Sequence, residues 1–130
     1  MKIKYTAVKT THTPHSLGYI IEGKKKYAYL VDGIRPPDGT IEVLKDIDCL
    51  ILEASVDELD EKENWANLDI AGALEIWKEV GSKEFILTHM SFHSWRGNEL
   101  ISGYKQEDRE KIVLENPGLN IATDGMHVYC

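Results

Sequence analysis

Polar and apolar positions roughly alternate over residues 2–10, which puts Ile3, Tyr5 and Ala7 on one face of a strand. Residues 18–22 predict a second strand and residues 26–31 a third, with Glu22-Gly23-Lys24 as the turn between them. Asp32-Gly33 stops the third strand, and Pro36-Pro37-Asp38-Gly39 forces a loop. Thr40 is placed to cap a short helix that runs to Leu44. Within residues 48–53 the run Cys49-Leu50-Ile51-Leu52 is apolar on both faces and reads as a buried strand. Residues 56–63 are acidic and predict a solvated loop.

Ile70, Ala73, Leu74, Trp77 and Val80 then recur at helical spacing, and Trp77 falls on the apolar, core-directed face. Asn67 or Asp69 can start this helix, and Gly81 can end it in the left-handed conformation. Phe85-Ile86-Leu87 is another buried strand and runs straight into Thr88-His89. Residues 106–114 read as a helix stopped by Asn116-Pro117-Gly118. Residues 119–123 and 126–129 read as two short strands around Asp124-Gly125.

A strand-rich first half followed by alternating strands and helices predicts an α/β fold, with helices covering one face of a sheet. The pattern offers too few helices for the other face. Residues 1–130 read as a single domain, with no internal repeat and no interdomain linker.

Composition narrows the function classes. A 42% hydrophobic share supports a packed core, and a net charge of -7 gives nucleic acid no general basic footprint. The one basic run, Lys24-Lys25-Lys26, sits beside Gly23 and reads as a solvated hairpin turn. No stretch is apolar and long enough for a membrane span, and the first residues carry no signal-peptide pattern. Cys49 and Cys130 make no disulfide framework; Cys49 lies in an apolar run and predicts a buried free thiol, which fits a reducing cytoplasm.

Three residues with metal-binding chemistry fall at predicted strand ends. His12 follows the first strand, Asp32 the third, and His89 the strand Phe85-Ile86-Leu87. Strand ends hold side chains rigidly at the lip of an open crevice. Imidazole and carboxylate donors without thiolate suit zinc, iron or manganese. Each also has an ordinary structural explanation: a loop histidine, an Asp-Gly turn, a histidine satisfied at a strand end. The acidic residues Asp57, Glu58, Asp60, Glu61 and Glu63 lack the glycine and spacing of a calcium loop. Ser16, Ser91 and Ser94 lie near histidines but without a nucleophile-elbow sequence. Trp65 and Trp95 could line a cleft or stack a base.

The segment Thr11-His12-Thr13-Pro14-His15-Ser16-Leu17-Gly18-Tyr19 resembles the third metal motif of metallo-β-lactamase-fold hydrolases, nearest to the PhnP-type phosphodiesterase and tRNase Z branches. Tyr29-Leu30-Val31-Asp32 resembles the fourth motif, and Asp48-Cys49-Leu50-Ile51-Leu52-Glu53-Ala54 the buried strand after it. Ile86-Leu87-Thr88-His89-Met90-Ser91 resembles the fifth motif, and Asp124-Gly125-Met126 the closing segment of PhnP-type chains. The motifs span nearly the whole chain and keep the family order.

This resemblance implies the C-terminal half of an αββα sandwich. It implies His12 and His89 as terminal metal ligands, and Asp32 as the bridge between one or two divalent ions, zinc or manganese. The match to the motif favours His12 as the ligand over His15, which lies nearer to Gly18. Asp32 and His89 become the catalytic candidates, and Thr88 and Ser91 the groups expected to orient His89. The implied reaction is metal-assisted hydrolysis of a small phosphodiester. The family's His-x-His-x-Asp-His run is absent, so this half should bind metal weakly alone. The histidine that such enzymes often carry as proton donor is absent from Asn64-Trp65-Ala66-Asn67-Leu68-Asp69; His93 and His127 are the nearest substitutes. The expected partner is the missing N-terminal half or a second copy in a homo-oligomer. Nucleic acid has no support from charge. The alternative is a non-catalytic binding module derived from this fold.

Overall fold

The computed structural model describes residues 2–55, 68–90, 93–96, 99–102 and 105–129. Strands β1 (Lys4–Lys9), β2 (Leu17–Glu22) and β3 (Lys26–Leu30) form an antiparallel meander. Helix α1 (Asp38–Val43) leads to β4 (Cys49–Glu53), α2 (Ile70–Val80) to β5 (Glu84–Thr88), and α3 (Gln106–Glu115) to β8 (Leu119–Ile121). A hairpin of β6 (His93–Arg96) and β7 (Glu99–Ser102) precedes α3. The six-stranded mixed sheet has the order β1-β2-β3-β4-β5-β8, and its last four strands are parallel.

That order never reverses. Right-handed crossovers that always step toward the same edge put every helix on one face of the sheet. The register shows the result. Ile20, Ala28, Leu50, Phe85 and Leu119 lie in one row across five strands, and Leu30, Leu52 and Leu87 in the next. They pack against Ile41, Leu44, Ala73, Ile76 and Val80 from the helical side. α2 shows how local chemistry sets this up. The Asp69 carboxylate accepts from Gly72 N at 2.8 Å, and Gly81 at φ 77 ends the helix. The Trp77 indole donates to the Ser82 carbonyl at 2.8 Å and sits 4.9 Å from the Phe85 ring, so its polar end is satisfied beside the core.

The opposite face carries the complementary rows: Tyr5, Ile21, Tyr27 and Cys49, then Ala7, Tyr19, Tyr29, Ile51 and Ile86. Its β1–β3 half lies open, with Tyr5 65%, Leu17 52%, Tyr19 44% and Tyr29 45% exposed. Tyr27, Cys49 and Ile86 are covered locally by Ile21, Ile51 and Ala122. Burial pushes the Cys49 thiol up to about 12.

Two expectations are corrected, and others fall outside the described residues. α1 begins at Asp38 rather than after Thr40, because Pro37 already supplies a fixed φ at the N-cap. Thr40 is instead buried and donates from its hydroxyl to the Lys9 carbonyl at 2.7 Å. Residues 126–129 form no strand; Asp124-Gly125 turns the chain, and the Tyr129 carbonyl accepts from the Tyr27 hydroxyl at 2.8 Å. The β6–β7 hairpin had no counterpart in the sequence reading. The acidic stretch 56–63, Trp65 and Ser91 lie outside the described residues.

Candidate metal centre

Right-handed parallel units place their loops at the carboxyl ends of the strands, where ligands collect in open α/β sheets. Here three neighbouring parallel strands each deliver one polar group to that edge. Asp32 follows β3, Glu53 ends β4 and His89 follows β5. One ligand atom from each lies within 4.8 Å of the others. Asp32 and His89 are exposed, while the Glu53 carboxylate is fully buried.

His12 reaches the same place from the antiparallel side. Its Nε2 lies 3.4 Å from Asp32 Oδ2. The loop carrying it is fixed internally, with the Thr10 hydroxyl donating to Ser16 Oγ at 2.9 Å. It is also fixed externally, with Ile34 N donating to the Thr11 carbonyl at 2.9 Å. Gly33 permits this approach, since a Cβ there would stand 2.7 Å from the Thr11 carbonyl oxygen. The sequence-predicted residues His12, Asp32 and His89 are therefore brought to one sheet edge. His15 is exposed elsewhere on the same loop, and His127 stacks on Tyr129 with ring centroids 6.4 Å apart. The side chain of His93 is not among those described.

Backbone strain marks the same residues. Among the described residues, Asp32 at φ 67 and His89 at φ 54 are the two non-glycine residues in the left-handed region. Each such conformation costs on the order of 1–3 kcal/mol and persists where surrounding structure holds it. Both belong to the histidine–carboxylate cluster, and neither is a glycine that could adopt the turn freely.

Two residues of this cluster were missed in the sequence. Glu53 accepts from Gly33 N through Oε1 and from the Ser55 hydroxyl through Oε2. Ser55 Oγ is also 3.4 Å from His89 Nδ1, and Glu53 Oε2 is 3.7 Å from the same nitrogen. Thr88, expected to orient His89, lies opposite Glu53 on the ladder, and its carbonyl accepts from Ala54 N at 3.2 Å. The hydroxyl beside the His89 ring belongs to Ser55. A signal for Glu53 was present: a carboxylate that closes an apolar strand is buried, and buried carboxylates need partners and a reason.

A mixed sheet that is helix-covered on one face, with a histidine–carboxylate cluster at the ends of its parallel strands, defines an α/β protein with a polar site at one sheet edge. The model of the beta-lactamase superfamily domain matches residues 1–90, and the chain belongs to that family. Its fold is the metallo-β-lactamase fold, as three solved structures show. A diphosphatase from the PhnP family aligns over 95% of this chain and 42% of its own, with TM-score 0.70 and 23% identity. The metallo-β-lactamase fold protein YhfI from Bacillus subtilis aligns over 95% and 48%, with TM-score 0.71 and 22% identity. The short form of human tRNase Z aligns over 94% and 41%, with TM-score 0.66 and 23% identity. The chain thus spans less than half the length of each of these structures. No curated protein matches it. Among the described residues, no helix is long and apolar enough to cross a membrane.

Proposed function

We propose that this chain is the C-terminal half of a divalent-metal-dependent hydrolase acting on a phosphodiester or a related phosphate ester. The observation that carries the reading is the convergence of His12, Asp32 and His89 at one sheet edge, two of them in strained backbone. The donor set fits a hard-to-borderline cation: two imidazoles and a carboxylate, with the Cys49 thiol buried in a separate cluster. Zinc or manganese is the expected ion. His12 and His89 would be terminal ligands, and Asp32, between them, would serve one or two ions. A bound cation there supplies a hydroxide near neutral pH and a clamp for a phosphate oxygen.

Three protein ligands shared over one or two ions leave the coordination incomplete. The half-length alignments with larger structures and the open tyrosine-rich face support a second body of protein that supplies the remainder. A second copy of the chain is the competing source. The diphosphatase and tRNase Z likenesses support phosphate-ester chemistry for the complete assembly.

The test is turnover of a nitrophenyl phosphodiester by the chain assembled with the second body of protein that completes its site, with and without zinc or manganese. The reading expects turnover that rises with metal, disappears with chelator and falls at least about 100-fold in Asp32→Ala. Turnover that ignores both chelator and Asp32→Ala would refute it. Stability and ligand binding that are both indifferent to chelator would favour the binding-module reading, which needs no metal.

A further inference from the structure

The proton on the Ser55 hydroxyl has a determined direction. A carboxylate only accepts hydrogen bonds, and Glu53 Oε2 takes the Ser55 O–H. The side of Ser55 Oγ that remains is an acceptor, and it faces His89 Nδ1 at 3.4 Å. Among the described residues, Glu53 Oε2 also faces Nδ1, at 3.7 Å, and is again an acceptor. A neutral imidazole carries one proton on one nitrogen. Two acceptors around Nδ1 favour the form with the proton there, which leaves the Nε2 lone pair for a cation. Glu53 is held in turn by Gly33 N, the residue after Asp32. One buried carboxylate therefore ties the turn that carries one candidate ligand to the ring orientation of another.

Resting on the metal-centre reading, we propose that Ser55 is a positioning residue: its hydroxyl, aimed at Glu53, holds His89 as the Nδ1–H tautomer with Nε2 turned to the ion. Outer groups of this kind set the tautomer and basicity of a ligand histidine, and their loss typically lowers metal affinity by about 10–100-fold. A hydroxyl that merely filled space would leave the tautomer unchanged when removed.

The test needs no bound metal for its first readout. Long-range proton–nitrogen correlation spectra of the nitrogen-15-labelled chain, at about pH 8 and so above the ordinary imidazole range, distinguish protonated from bare ring nitrogens. His89 is assigned by the signals lost in His89→Gln. The expected wild-type result is a protonated Nδ1 and a bare Nε2. Ser55→Ala should shift the population toward Nε2–H, and Ser55→Thr should keep the wild-type pattern. Zinc affinity should fall about 10-fold or more in Ser55→Ala and stay near wild type in Ser55→Thr. Wild-type His89 in the Nε2–H form overturns the proposal, even if the alanine variant does not fold. So does an alanine variant with the wild-type tautomer. A wild-type chain that holds the Nδ1–H form yet binds no zinc supports the tautomer assignment and overturns the metal-centre reading.

Discussion

His12 Nε2 stands 3.4 Å from Asp32 Oδ2 because the loop after β1 rests on the turn after β3. The bridge between Thr11 and Ile34 makes that seat, and Gly33 leaves room for it. Gly33→Ala would place a methyl group 2.7 Å from the Thr11 carbonyl oxygen. The expected outcome is a folded chain destabilised by about 1–3 kcal/mol. Zinc affinity should fall in parallel, because His12 moves away from Asp32. Calorimetric titration and urea unfolding check the two halves of this prediction; unchanged affinity would show that the seat does not position His12.

Glu53 gives a prediction about stability that is independent of any ion. Its carboxylate is fully buried and accepts from Gly33 N and Ser55 Oγ. Glu53→Ala strands the buried Gly33 N–H, and an unsatisfied buried donor costs about 1–3 kcal/mol. Urea midpoints should drop accordingly. A variant as stable as wild type would mean that water reaches the Gly33 N–H.

Much of this fold could be read from the residue pattern. The helical spacing of Ile70, Ala73, Trp77 and Val80 pointed to α2, with Gly81 at its end and Asn67 or Asp69 at its start, of which Asp69 is the cap, and the apolar runs pointed to β4 and β5. The placement of His12, Asp32 and His89 at strand ends followed from the strand boundaries. Glu53 and Ser55 were harder to see. Their importance comes from a register that sets the end of β4 between Gly33 and His89, and register is a long-range property. Residues 126–129 misled for the opposite reason: their pattern suits a strand, but the Tyr27 hydroxyl takes the Tyr129 carbonyl. Helix α1 began early because Pro37 competes well with Thr40 as a starting point.

Cys49 reports on the integrity of the sheet. Burial lifts its thiol to about 12 in the folded chain, well above the ordinary thiol range. In a Cys130→Ser background, native Cys49 should resist a thiol-specific dye at pH 8 and react promptly in urea. The folded state then holds its proton more tightly than the unfolded state, so stability should decline as pH climbs from 9 toward 12. Fast native labelling would contradict the buried placement.

The open face predicts association. Tyr19 and Tyr29 are paired across β2 and β3 and both half-exposed. Tyr19→Lys with Tyr29→Lys should abolish self-association or partner binding, reduce apolar dye uptake, and leave thermal unfolding of the isolated chain within about 0.5 kcal/mol. Sedimentation velocity reads the first effect. A wild-type chain that is monomeric, takes up no dye and binds no second body of protein would remove the case for a covered face.

His12, Asp32 and His89 are proposed to hold a divalent ion. The most direct measurement is calorimetric titration of zinc into the chain and into the His12→Ala, Asp32→Ala and His89→Ala variants, each checked for folding by circular dichroism. Measurable but weak binding is expected of the wild-type chain, weakened further in every variant and absent when all three substitutions are combined. Wild-type affinity retained in the folded triple variant would place the ion elsewhere and contradict this proposal.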